Sequence, residues 1–216
     1  MKKYIVEFIG TFFLILTVVA AVTGTAGDLA PLAIGLILMA MVYAGGHISG
    51  AHYNPAVTIA VLVRGGLPFK HVPGYMIAQI LGGLAAAFTG KYLLDFMPEE
   101  AAGISMGASF DIIGGGVAEF LGTFALCWVV LHTATAKGTD GNPFYGAAIG
   151  LTVTAMAYSF GGITGGAFNP AVAVSVSSIE MTNWENMTAF LAGQLLAAVT
   201  AALLFLLVNG KDSQSG

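Results

Sequence analysis

Six stretches of this chain run on with hardly a charge: about Tyr4–Val22, Leu29–Gly46, Val72–Phe96, Gly116–Ala136, Phe144–Phe160 and Trp184–Val208. A helix needs about 20 apolar residues, or a few less, to cross a hydrocarbon core ~30 Å thick, and each stretch has that reach. Charged residues make up 8% of the chain, where a soluble domain carries about 25%, so a solvated surface around a globule is excluded. The start, Met1-Lys2-Lys3 before an apolar run, superficially resembles a signal peptide. The run is long enough to span and no polar mature domain follows, so it reads as a retained first transmembrane helix. Cys127 is the single cysteine, which excludes an intrachain disulfide and a cysteine metal cluster. It reads as a small buried hydrophobe.

The chain also repeats itself. Glu7-Phe8-Ile9-Gly10-Thr11-Phe12 returns as Glu119-Phe120-Leu121-Gly122-Thr123-Phe124, and the segment ending Tyr53-Asn54-Pro55-Ala56-Val57 returns ending Phe168-Asn169-Pro170-Ala171-Val172. Gln79 in the third run is matched by Gln194 in the sixth. The repeats cover about residues 1–97 and 116–210 of a single transmembrane domain, and each holds three spans. Three is odd, so the second repeat enters from the opposite face, giving an inverted-topology repeat. Lys2, Lys3, Arg64, Lys70, Lys137 and Lys211 then fall on the side of the termini, and only Lys91 on the other. That other side carries Asp28, Asp95, Glu99, Glu100, Asp111 and Glu180. The bias puts both termini in the cytoplasm and the linker from Met97 to Gly115 outside.

Two apolar runs, Pro55–Val63 and Pro170–Val176, are too short to span. Each opens on Asn-Pro-Ala: asparagine is a favoured N-cap, and proline at the first helical position loses no hydrogen bond. The preceding glycines (Gly45-Gly46 and Gly50; Gly161-Gly162 and Gly165-Gly166) predict an extended approach. Such backbone is tolerated at membrane depth only inside protein or along a wet cavity. Two half-helices from opposite faces therefore point their positive N-terminal ends at a shared midplane cavity. The Asn54 and Asn169 amides could donate to a passing oxygen there. Neutral hydrogen-bonding solutes suit this centre and cations do not.

With these motifs in view, the chain resembles the aquaporin or major intrinsic protein family over essentially its whole length. The marks are the paired Asn-Pro-Ala motifs, Gly46-His47-Ile48-Ser49-Gly50-Ala51-His52, and Ala118-Glu119-Phe120-Leu121-Gly122-Thr123-Phe124. The resemblance implies an all-α membrane fold of six transmembrane helices and two re-entrant half-helices. It also implies a homotetramer with one pore per subunit in the plasma membrane.

Glu7 and Glu119 occupy matching intramembrane positions. An ionisable group there is a functional candidate by default, but the repeat symmetry favours accepting backbone N–H groups of the entering loops. The resemblance implies the same bracing role. His47 precedes the first half-helix, either lining the cytoplasmic vestibule, where it could titrate, or bracing the loop. The four histidines show no ligand spacing, so no metal is expected. No cofactor fingerprint, phosphate loop or nucleophile–base pair is present, and no enzyme activity is expected. Without a basic patch the chain has no nucleic-acid partner. Its partners are the lipid bilayer and the solutes it passes.

The resemblance breaks at the filter. Family members usually carry an arginine directly after the second Asn-Pro-Ala, and Val172 stands there instead. The other filter positions fall at Ile34, Ala157 and Gly166. Ile34 and Ala157 replace the bulky aromatic and the histidine of the water-selective pattern. Ala173 stands where glycerol-type members usually have aspartate. Either the constriction is wide and apolar, or Tyr158, Phe160 or Phe168 fills it. The expected function is a passive channel for water and small uncharged solutes such as glycerol, urea, ammonia or undissociated weak acids. The barrier to protons would rest on the half-helix ends alone. The alternative is a secondary transporter on the same inverted repeat.

Overall fold

The computed structural model describes residues 1–24, 26–96, 106 and 110–210. Within them the chain forms eight α-helices. Six are long and apolar enough to cross a membrane: α1 (Lys2–Thr23), α2 (Ala30–Ser49), α4 (Val72–Leu94), α5 (Ile112–Ala134), α6 (Tyr145–Thr164) and α8 (Met187–Asn209). The other two are short, α3 (Pro55–Arg64) and α7 (Pro170–Ser178). Most of the Met97 to Gly115 linker lies outside the described residues, as do Glu99, Glu100 and Lys211.

The spans pair as α1 with α4, α5 with α8, and α2 with α6. Lipid tails supply no hydrophobic drive between helices, so the contacts depend on close backbone approach at small residues. A Cβ added at Gly82 would stand 2.4 Å from the Phe8 carbonyl oxygen, and one at Gly193 2.4 Å from that of Gly116. The α2–α6 crossing is reciprocal. A Cβ at Gly35 would meet the Gly150 oxygen at 2.5 Å, and one at Gly150 the Gly35 oxygen at 2.4 Å. These two glycines are equivalent under the offset that relates Asn54 to Asn169, so the repeats meet each other at their own symmetry mates. Each half-helix packs mainly on the last span of the opposite repeat, α3 on α8 and α7 on α4. That exchange ties the two halves into one body.

Several helix ends differ from the sequence expectation by a few residues, those of α5, α2 and α6 among them. Asp111 starts α5 four residues early because its carboxylate caps the helix, accepting from Gly114 N at 2.6 Å. At α2 and α6 the glycine-rich approach proves mostly helical. Gly45, Gly46, Gly161 and Gly162 stay in helix, and the chain leaves it only at Gly50 (φ 85°) and Gly165 (φ 87°). At Gly45 the reason is packing: a Cβ there would lie 1.9 Å from the Tyr53 hydroxyl.

The loops owe their depth to two other glycines. A Cβ at Gly10 would fall 2.1 Å from the Tyr53 ring, and one at Gly122 2.2 Å from the Phe168 ring. Gly122→Ala should therefore lower the melting temperature of the detergent-solubilised protein sharply. Gly138→Ala, which meets nothing within 4 Å, should leave it nearly unchanged; size-exclusion fluorescence after heating reads both.

Candidate functional site

Asn54 and Asn169 are extended N-caps (φ −157° and −160°) with proline as the next residue. Each side-chain oxygen accepts the N–H of the alanine two residues on, Ala56 at 2.8 Å and Ala171 at 2.9 Å. Each side-chain nitrogen reaches across the midplane. Asn54 Nδ2 donates to the Phe168 carbonyl and Asn169 Nδ2 to the Tyr53 carbonyl, both at 2.9 Å. An amide nitrogen carries two hydrogens, so each asparagine locks the opposite loop with one and keeps the other. Pro55, Ala56, Pro170 and Ala171 are buried around this junction.

Behind each loop lies a carboxylate with no solvent exposure, Glu7 or Glu119. Glu7 Oε1 accepts Ser49 Oγ at 2.6 Å and His52 N at 3.0 Å. Its Oε2 accepts Tyr53 N at 2.7 Å and Gln79 Nε2 at 2.8 Å. Glu119 repeats the set on Thr164, Ala167, Phe168 and Gln194 with the same four distances. Four donors match the lone-pair sites of one carboxylate. They also hold a backbone the residues dislike. Ala51, Tyr53 and Phe168 sit at φ 51°, 50° and 45°, a region that costs a non-glycine residue of order 1–3 kcal/mol.

With their N–H groups turned to the carboxylates, the loops leave other carbonyls unused. Those of Ala51, His52, Gly165, Gly166 and Ala167 accept no hydrogen bond among the described residues. All five residues line one cavity of about 490 Å³. The same cavity touches Asn54, Asn169 and each of Ile34, Ala157, Gly166 and Val172. Its other walls are mostly aliphatic, from α1, α2, α5 and α6. It opens on the side away from the termini, near Asp28 and Tyr158, whose hydroxyl donates to the Asp28 carbonyl at 2.8 Å. Tyr158 and Phe168 both line it and Phe160 does not; the Phe168 ring packs against Gly122. His47 lies elsewhere, on a second cavity of about 420 Å³ with Arg64, Asp140 and Tyr145.

A profile of the family described as Major intrinsic protein matches residues 1–205. The chain belongs to that family. It is 36% identical to aquaporin NIP1-3 of Oryza sativa subsp. japonica over 98% of this chain and 75% of that protein. It is 34% identical to the glycerol uptake facilitator protein-like 6 of Lactiplantibacillus plantarum, over 94% of this chain and 98% of that protein. Its fold matches the aquaglyceroporin of Plasmodium falciparum with a TM-score of 0.75 at 24% identity, covering 98% and 96% of the two chains.

Two wall residues of this family member have no role in the sequence reading. His52 lines the cavity with Nδ1 3.1 Å from Thr58 Oγ1; it ends the motif of residues 46–52, which marks the family without giving this histidine a place. Met106, from the linker, closes over Gly165, with its N–H on the Met181 carbonyl at 2.9 Å. Removing a carboxylate would strand four donors in an apolar interior. Glu119→Ala should destabilise the protein by several kcal/mol, since each buried donor left unpaired costs about 1–3 kcal/mol, read as a large fall in detergent melting temperature. Glu119→Asp should lose part of this, because the shorter arm cannot reach all four donors.

Proposed function

We propose that the chain is a passive transmembrane pore for water and small uncharged solutes, glycerol and urea among them. The observation that carries this reading is the single cavity running past the candidate filter and both asparagine amides. Along it, unpaired carbonyls form one polar edge and aliphatic side chains the rest. A solute that offers hydrogen-bond donors replaces part of its water shell on the carbonyls, and its carbon face meets the opposite wall. The N-terminal ends of α3 and α7 set a positive potential at the centre, which opposes cations. The names of the relatives, aquaporin and glycerol uptake facilitator, agree with this solute class.

Ile34, Ala157, Gly166 and Val172 form the outer ring of the proposed pore. With valine in place of an arginine, the ring has neither a fixed cation nor a bulky donor, so it is wide and apolar. Glu7 and Glu119 act as loop braces, and His47 stands in the vestibule on the terminal side. The Lys/Arg bias supports cytoplasmic termini, and the membrane proposed is the plasma membrane. A homotetramer with one pore per subunit follows from the resemblance to the family.

Stopped-flow light scattering on proteoliposomes tests the function. Water, glycerol and urea should all cross faster than in empty vesicles; no excess for any of them would overturn the pore reading. Val172→Arg should lower glycerol flux roughly tenfold relative to water by filling the ring. An unchanged ratio would mean that residue 172 does not face the path.

A further inference from the structure

The two cavities share no lining residue. The large one passes the outer ring and both asparagines, then stops on the terminal side. On α6 it ends at Ile149, and the second cavity begins one turn later at Tyr145. In the first loop the break falls between Ala51 and Gly50. On α2 it falls between Leu38 and Gly46, with Val42 between them at 2% exposure. The boundary between the two linings therefore falls at one level, on three separate elements.

The repeat says what stands at that level. The offset that carries Asn169 onto Asn54 carries Val172 onto Val57, Gly166 onto Ala51 and Ala157 onto Val42, and it exchanges Ile34 with Ile149. The outer ring thus has an inner mate. Two positions match in size, isoleucine with isoleucine and valine with valine. At the other two the inner ring is bulkier, alanine for glycine and valine for alanine. A fixed cation after the second Asn-Pro-Ala would make the outer ring the tighter one. With Val172 there, the order reverses.

Resting on the pore reading, we propose that solutes are selected by size at the inner ring of Val42, Ala51, Val57 and Ile149. The ring takes compact neutral molecules and offers no side-chain donor or acceptor, so a solute must shed water to pass it. It is also stiff. Ala51 N is held by Ser49 Oγ at 3.0 Å, Ser49 Oγ by Glu7, and the next two N–H groups by the same carboxylate. Val57 stands on the first turn of α3, behind the Asn54 cap. A wall that cannot yield gives a sharp size limit.

The experiment compares urea and erythritol uptake into proteoliposomes for the wild type, Ile149→Ala, Ile149→Val and the symmetry-matched Ile34→Ala. Wild-type urea flux above empty vesicles tests the pore reading by itself; the erythritol-to-urea ratio tests the ring. Ile149→Ala should raise that ratio about tenfold, the scale on which a lost methyl or methylene relaxes an apolar fit. Ile149→Val should raise it less, and Ile34→Ala far less than Ile149→Ala. If Ile149→Ala does not fold, Ile149→Val carries the comparison. A ratio that rises as much in Ile34→Ala, or that stays fixed in the Ile149 variants, overturns the proposal.

Discussion

A carboxylate inside a membrane protein survives only where donors replace the water it has lost. Glu7 and Glu119 each find four, and two of each four are backbone N–H groups of a loop that has left the helix. The rest of the site depends on that exchange. Turning the N–H groups toward the carboxylates frees the carbonyls for the cavity and holds Tyr53 and Phe168 in a left-handed conformation. The carbonyls of those two residues are then placed to receive the amide of the opposite asparagine. Brace, cap and cross-bond form one connected network, and each half of it needs the other repeat.

The symmetry is close in the scaffold and broken along the path. Four carboxylate distances agree between the repeats. Gly10 and Gly122 admit the aromatic rings of equivalent residues, and Gly35 meets Gly150. Along the path the pairs diverge. Ala51 is the repeat mate of Gly166, and Val42 that of Ala157. A shared frame with unequal walls lets the two ends of one pore do different work.

Much of this was legible from residues alone. Repetition exposed Glu7 with Glu119 and Asn54 with Asn169, and capping rules explained why Asn-Pro begins a helix at both places. The spans announced themselves by length and lack of charge. Local rules failed where distant packing decides. Gly45 and Gly161 read as the start of extended chain because glycines let an entering loop pack tightly, yet both remain helical. The cross-bond from each asparagine to the other loop joins residues more than a hundred positions apart, beyond the reach of any local pattern. Met106 sits over the cavity on a bond to Met181, with nothing in its neighbours to mark it.

The central claim is that two half-helices meet to leave a passive, uncharged path. The most direct measurement is the initial rate of glycerol entry into proteoliposomes across a wide range of gradients, with membrane current recorded alongside in planar bilayers. A passive path gives a rate that rises in proportion to the gradient, independent of any ion gradient, with no current above the bare membrane. A rate that saturates, or that follows a sodium or proton gradient, would contradict the account and point to a transporter built on the same repeat.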